Sequence, residues 1–310
     1  MPNIQLIRFW LCTSLCDVVR YNIPQSGNLP GTRKEDAQKL LTMRKTKAGR
    51  RGWDIKERIE MYDEYKLAHM GFGTYKKVDV FGMPYYMPVQ YGHGSYEKTW
   101  KTKTIREKVQ PSVVWRRDKM KHKDSTPVTK WESLESNVKN ALKFKIGNCG
   151  ELAQTALLVL KMSEFLKKLK LVAGILSVGK PSNDPFSTAD HAMVLIWPSE
   201  KNNIIPAILD WNTICNKIKE AIICDPWVWR TCQLNNKFEK DVYTSMVKAM
   251  GLASFYGGNS SYKMNLSYIT NVGEGGFSLR HSVQKKKDYL LRKQMDLLVK
   301  QLGTRCVLIN

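Results

Sequence analysis

A chain of 310 residues that is 43% hydrophobic and 25% charged can bury a sizeable core, and its composition excludes a disordered or collagen-like protein. The formal charge of +22 favours encounters with nucleic acid, anionic membrane or acidic proteins without choosing among them, and the basic stretches at 45–51, 98–108 and 116–123 read first as a solvated face. Seven cysteines, an odd number without framework spacing, argue against a disulfide-stapled secreted domain.

The opening apolar run, residues 4–19, contains Arg8 and Asp17 and falls short of the roughly 18 uninterrupted apolar residues of a membrane span. It also lacks the basic, apolar, small-residue order of a conventional signal peptide. Cys12 and Cys16 stand four apart on this stretch with no histidine near them, and read as small buried apolar residues rather than metal ligands. Residues 53–70 carry apolar positions at helical spacing. Residues 72–96, interrupted by Gly73, Gly82, Gly92 and Gly94, read as loops and short strands. These segments make up a basic N-terminal region, 1–125, whose role the sequence leaves open.

The character changes from residue 126, where a second region, 126–310, begins. A helix is expected over 131–144, and Gly147-Asn148-Cys149-Gly150-Glu151 then breaks the pattern and opens another helix over 149–168, with Leu152, Ala156, Val159, Leu160 and Met162 on its buried side. Apolar runs at 171–178, 192–197, 204–209 and 221–224 are of strand length. The chain ends in a lysine-rich amphipathic helix over 283–302, whose apolar side suits packing or a membrane or partner surface. A helix backing a small, mainly antiparallel sheet is an α+β arrangement.

The chemistry centres on Cys149. A thiol is a strong nucleophile when ionised, and both a helix N-terminus and a nearby imidazole favour the thiolate. Gly147 and Gly150 permit a tight entry, and the first-turn amides, that of Cys149 foremost, can receive an oxyanion. Asn148 can add a side-chain donor, although helix capping suits it better. Glu151 is expected to contact the unsatisfied amides of the first turn and to stay out of catalysis. His191 stands where 187–190 turns into the apolar run 192–197, at the start of a strand and suited to act as base. Asp225 ends the run 221–224 just before Pro226 and Trp227, where a carboxylate can orient the imidazole and Trp227 can wall the site. Asp210 competes for this role, because Leu209-Asp210-Trp211 has the same shape and lies nearer to His191 in sequence. Asp190, next to His191, points to the opposite face of a strand. The sequence carries no cofactor-binding motif and no metal-ligand set.

The segments 147–153, 190–194 and 222–227 resemble the three motifs of papain-like bacterial toxin and effector domains, a group that includes cysteine proteases and protein-glutamine deamidases. The resemblance covers residues 130–230 and implies a papain-like or transglutaminase-like core with Cys149, His191 and Asp225 as its triad. The long stretch between His191 and Asp225 keeps Asp210 open as the third member. It further implies a thiol hydrolase acting on a protein substrate, such as a host protein, most simply by glutamine deamidation. The same triad also serves a cysteine protease or a transglutaminase, and the family implies delivery into a host cell by a specialised secretion system. A non-enzymatic basic module, binding nucleic acid, an anionic membrane or an acidic partner, is the alternative of another class.

Overall fold

A computed structural model describes residues 4–23, 75–80, 83–88, 130–145, 147–179, 189–199, 208–209, 214–216, 218, 220–237, 239–241, 243–244, 263–270 and 289–306. The helices α1 (Ile4–Asn22), α2 (Lys130–Phe144), α3 (Cys149–Met162), α4 (Phe165–Lys168) and α5 (Tyr289–Arg305) accompany eight strands among them. Strands β1 (Tyr75–Val80) and β2 (Met83–Pro88) form a separate antiparallel hairpin. The other six are β3 (Leu171–Gly179), β4 (Ala189–Pro198), β5 (Ile208–Leu209), β6 (Ile222–Asp225), β7 (Arg230–Gln233) and β8 (Lys263–Ser267). They make one antiparallel sheet in the order β5-β8-β3-β4-β6-β7. The fold class is therefore α+β with a small antiparallel sheet.

The central strand β4 runs Ala192-Met193-Val194-Leu195-Ile196-Trp197, and all six are buried. A strand covered on both faces reads as a continuous apolar run because neither set of alternating side chains meets water. Helix α3 packs on β3 and β4, α1 packs on β6 and β7, and α5 packs on α1 and α3. Along α5 the buried residues Leu291, Met295, Leu298 and Leu302 recur at three- and four-residue intervals, while Tyr289, Leu290 and Leu297 stay exposed.

Helix α1, from the N-terminal region, shares its core with the described residues of the second region. Leu11, Cys12, Leu15, Cys16, Val18 and Val19 are all buried in the shared cluster. Polar contacts tie the helix down as well: Thr13 hydrogen-bonds Thr231 at 2.7 Å, and the Asp17 carboxylate accepts from the Trp229 indole at 2.7 Å and from Arg305 at 3.1 Å. The polar residues that made this segment a poor membrane span are its anchors to the sheet and to α5. None of the described helices is long and apolar enough to cross a membrane. Asp17→Ala leaves the Arg305 guanidinium buried beside a lost carboxylate, and is expected to cost about 3 kcal/mol or more in a urea titration. A loss under about 1 kcal/mol, the range of surface pairs, would show that α1 contributes little to the core.

Two further expectations change. The helix expected over 149–168 is two, because Ser163 turns extended (φ −84°, ψ 159°) and its N–H and hydroxyl satisfy carbonyls at the end of α3. Strands β7 and β8 come from segments without a long apolar run. The helix expected over 53–70 lies outside the described residues.

Candidate active site

Gly147 enters α3 where a Cβ would come within 3.0 Å of the Glu151 Cβ and 3.4 Å of Ile23, so a side chain there would crowd its neighbours. Asn148 follows as the N-cap with extended backbone, and the Glu151 carboxylate accepts its backbone N–H at 3.0 Å. This reciprocal arrangement is the acidic half of a capping box. Cys149 is therefore the first residue of the helix, half-buried, with its side chain at the positive end of the helix dipole. A Cβ on Gly150 would meet nothing within 4 Å, so α3 is uncrowded at the residue after Cys149.

His191 and Asp225 meet because of sheet register. Val194 of β4 pairs with Cys224 of β6, and in an antiparallel ladder the residues preceding Val194 lie beside those following Cys224. The His191 Nε2–H donates to Asp225 Oδ2 at 2.6 Å, with both side chains fully buried. The other carboxylate oxygen, Oδ1, accepts the backbone N–H groups of Trp227 at 3.0 Å and Val228 at 3.2 Å. Pro226 starts this turn, and the carboxylate closes it by accepting two and three residues ahead. The turn ends on Trp229, in left-handed backbone (φ 58°) that is costly for a bulky side chain. Its indole is held by Asp17 of α1.

Trp227 is buried with its ring 4.9 Å from the imidazole, and so serves as a wall of the site. Burial pushes the imidazole's proton affinity down, but the Asp225 carboxylate, by charge and by hydrogen bond, and then the Cys149 side chain, by hydrogen bond and by charge, push it up more strongly. The net pKa is raised from its ordinary value to about 10. At neutral pH this favours the protonated imidazole. With Nε2 engaged by Asp225, Nδ1 is the nitrogen left for the sulfur.

The structure thus brings Cys149, His191 and Asp225 together, and places Asn148 and Trp227 at their edge. Asp210 lies outside the described residues, as do His69, His93, His122 and His281. One contact was not foreseen: the buried Tyr243 hydroxyl donates to Asp225 Oδ2 at 2.6 Å and lies 3.3 Å from Met193 Sδ. Met193 is two residues along β4 from His191 and projects to the same face, which is how one tyrosine reaches both. Nothing in the local sequence around Tyr243 marks it, since its partner is set by tertiary packing.

No family model matches the chain, nor does any curated protein or solved structure.

Proposed function

We propose that the chain is a thiol hydrolase of papain-like type that attacks a carboxamide of a protein substrate, most simply the side chain of glutamine. The observation that carries this reading is a fully buried His191–Asp225 hydrogen-bonded pair, 2.6 Å apart, set against a half-buried cysteine at a helix N-terminus. A buried pair of this kind is costly to desolvate, and perturbed titration beside a reactive group is the mark of a functional site.

In the proposed reaction the Cys149 sulfur bonds to the carboxamide carbon, and the charge that develops on the carbonyl oxygen faces the first-turn amides of α3. Collapse breaks the carbon–nitrogen bond, and ammonia leaves with the proton that the His191 imidazolium held. The thioester carries no charge on sulfur, so the part of the imidazole's proton affinity that came from Cys149 is gone. The now neutral imidazole takes a proton from water as its oxygen attacks the thioester. Thiolate is expelled, the imidazolium is restored, and glutamine plus water has become glutamate plus ammonia. Attack by a lysine amine in place of water gives a transglutaminase, and attack on the main chain gives a protease. The effector-like setting, with delivery into a host cell, rests on the motif resemblance.

A basic binding module remains the second reading because of the +22 charge. Both are tested by incubating a eukaryotic lysate with wild type or Cys149→Ala and scoring the proteome for Gln-to-Glu conversion, new N-termini and cross-links. Conversion at defined glutamines with wild type alone is the expected result. New termini move the reading to a protease and cross-links to a transglutaminase. No difference between the proteins, together with salt-sensitive binding indifferent to Cys149→Ala, would establish the binding module instead.

A further inference from the structure

A triad carboxylate has two tasks that pull against each other. It must hold the imidazole in place, and it must let the imidazole release its proton. Asp225 is equipped for this by its full set of donors. Oδ1 is fixed by the two turn amides of Trp227 and Val228, and Oδ2 is shared by His191 Nε2 and the Tyr243 hydroxyl, each at 2.6 Å. A hydroxyl has one proton to give. The carboxylate, closer and charged, is a far better acceptor than the Met193 thioether at 3.3 Å, so the proton lies toward Asp225.

We propose that Tyr243 is a positioning residue of the triad: by donating to the same Asp225 oxygen that His191 uses, it fixes the carboxylate's rotation and limits how tightly the pair retains the imidazole proton. A carboxylate oxygen that accepts two donors offers less charge to each. Without the phenol, Oδ2 turns its full basicity on His191, and the imidazolium gives its proton to a leaving group less readily.

Among the described residues, the titratable groups that act most on the imidazole are Asp225 from β6 and Cys149 from α3. Behind Asp225 lies Cys224, which faces Cys16 at 3.4 Å and senses Cys12, both on α1. Burial, then its cysteine neighbours and Asp225 push the Cys224 thiol well up, and burial does the same to Cys12, so neither adds charge near neutral pH. Tyr243 is therefore the group whose removal changes the carboxylate without adding or removing a charge.

The inference rests on the hydrolase reading, and its test separates the two. The protonation of His191 is followed by NMR of the isotope-labelled imidazole in the whole protein, with no substrate present, in wild type and Tyr243→Phe. The midpoint is expected to move up by about one unit in the variant. An unchanged midpoint in a folded variant overturns the proposal and makes Tyr243 a packing residue. Should Tyr243→Phe fail to fold, 3-fluorotyrosine placed at position 243 keeps the shape and strengthens the donor, and the midpoint is expected to move down; no movement overturns the proposal equally. On a substrate found in the lysate experiment, Tyr243→Phe is expected to lower kcat about tenfold at neutral pH, to shift the pH profile of kcat upward, and to leave KM unchanged. Midpoints that move as expected while the lysate shows no difference between wild type and Cys149→Ala, together with salt-sensitive binding indifferent to that substitution, leave the Tyr243–Asp225–His191 coupling standing and overturn the hydrolase reading.

Discussion

Asp225→Ala is expected to destabilise the protein by about 3–5 kcal/mol at neutral pH, because removing one partner of a buried ion pair strands the other. The group left behind is the fully buried His191 side chain, which must give up its proton or stay charged without a partner, and the Tyr243 hydroxyl and two turn amides lose their acceptor with it. Urea titration measures the loss, and its pH dependence carries the sharper information. Folding raises the His191 pKa from near 6.5 to about 10. The stabilisation tied to that shift is fully present below about 6.5 and is lost as pH climbs through about 10. Wild type is therefore expected to weaken between those limits. In Asp225→Ala the slope vanishes or reverses, since a buried imidazole without its carboxylate favours the neutral form. Parallel pH curves for the two proteins would sink the assignment of an imidazolium to this site.

The parts of the site that could be read from the sequence are those whose meaning is local. Gly147-Asn148-Cys149 marks a helix start by turn and capping chemistry, and the alternative readings of Asn148 and Glu151 were separable because both act within one turn. His191 and Asp225 could be placed at strand ends because apolar runs stop beside them. What could not be read is what depends on pairing between distant segments. Whether Asp225 or Asp210 faces His191 is a matter of register between β4 and β6, and the Val194–Cys224 pairing brings Asp225 to it. Strand β8 alternates buried Met264 and Leu266 with polar neighbours, a pattern too short to separate from a loop without β3 beside it. Helix α1 reads as an apolar segment apart from residues 126–310, and it is contacts across the fold, above all those of Asp17 with Trp229 and Arg305, that show it holding the Asp225 turn. Tyr243 has no signature at all, since a tyrosine on a helical stretch is ordinarily core.

Selective alkylation of Cys149 is the second large effect expected, and it needs no substrate. Cys149 and Cys215 are both half-buried, whereas Cys12, Cys16, Cys224, Cys232 and Cys306 are buried. Exposure alone therefore predicts that iodoacetamide labels Cys149 and Cys215 at similar rates. Cys149 has His191 and a helix N-terminus beside it, the two settings in which a thiol reacts fastest with an electrophile. At pH 7, Cys149 is expected to react at least about tenfold faster than Cys215, a preference equivalent to about 1.4 kcal/mol. His191→Ala should remove most of that preference while leaving Cys215 as it was, because the imidazole acts on one thiol only. The two rates are read by peptide mass spectrometry on the folded protein, with circular dichroism confirming that the variant retains its structure. Equal labelling in wild type would mean that the sulfur does not use the histidine that the fold places next to it, and the nucleophile would have to be abandoned whatever the geometry of the His191–Asp225 pair. A preference that survives His191→Ala would instead locate the activation in the helix N-terminus, and would reduce the buried pair to a structural element of the sheet.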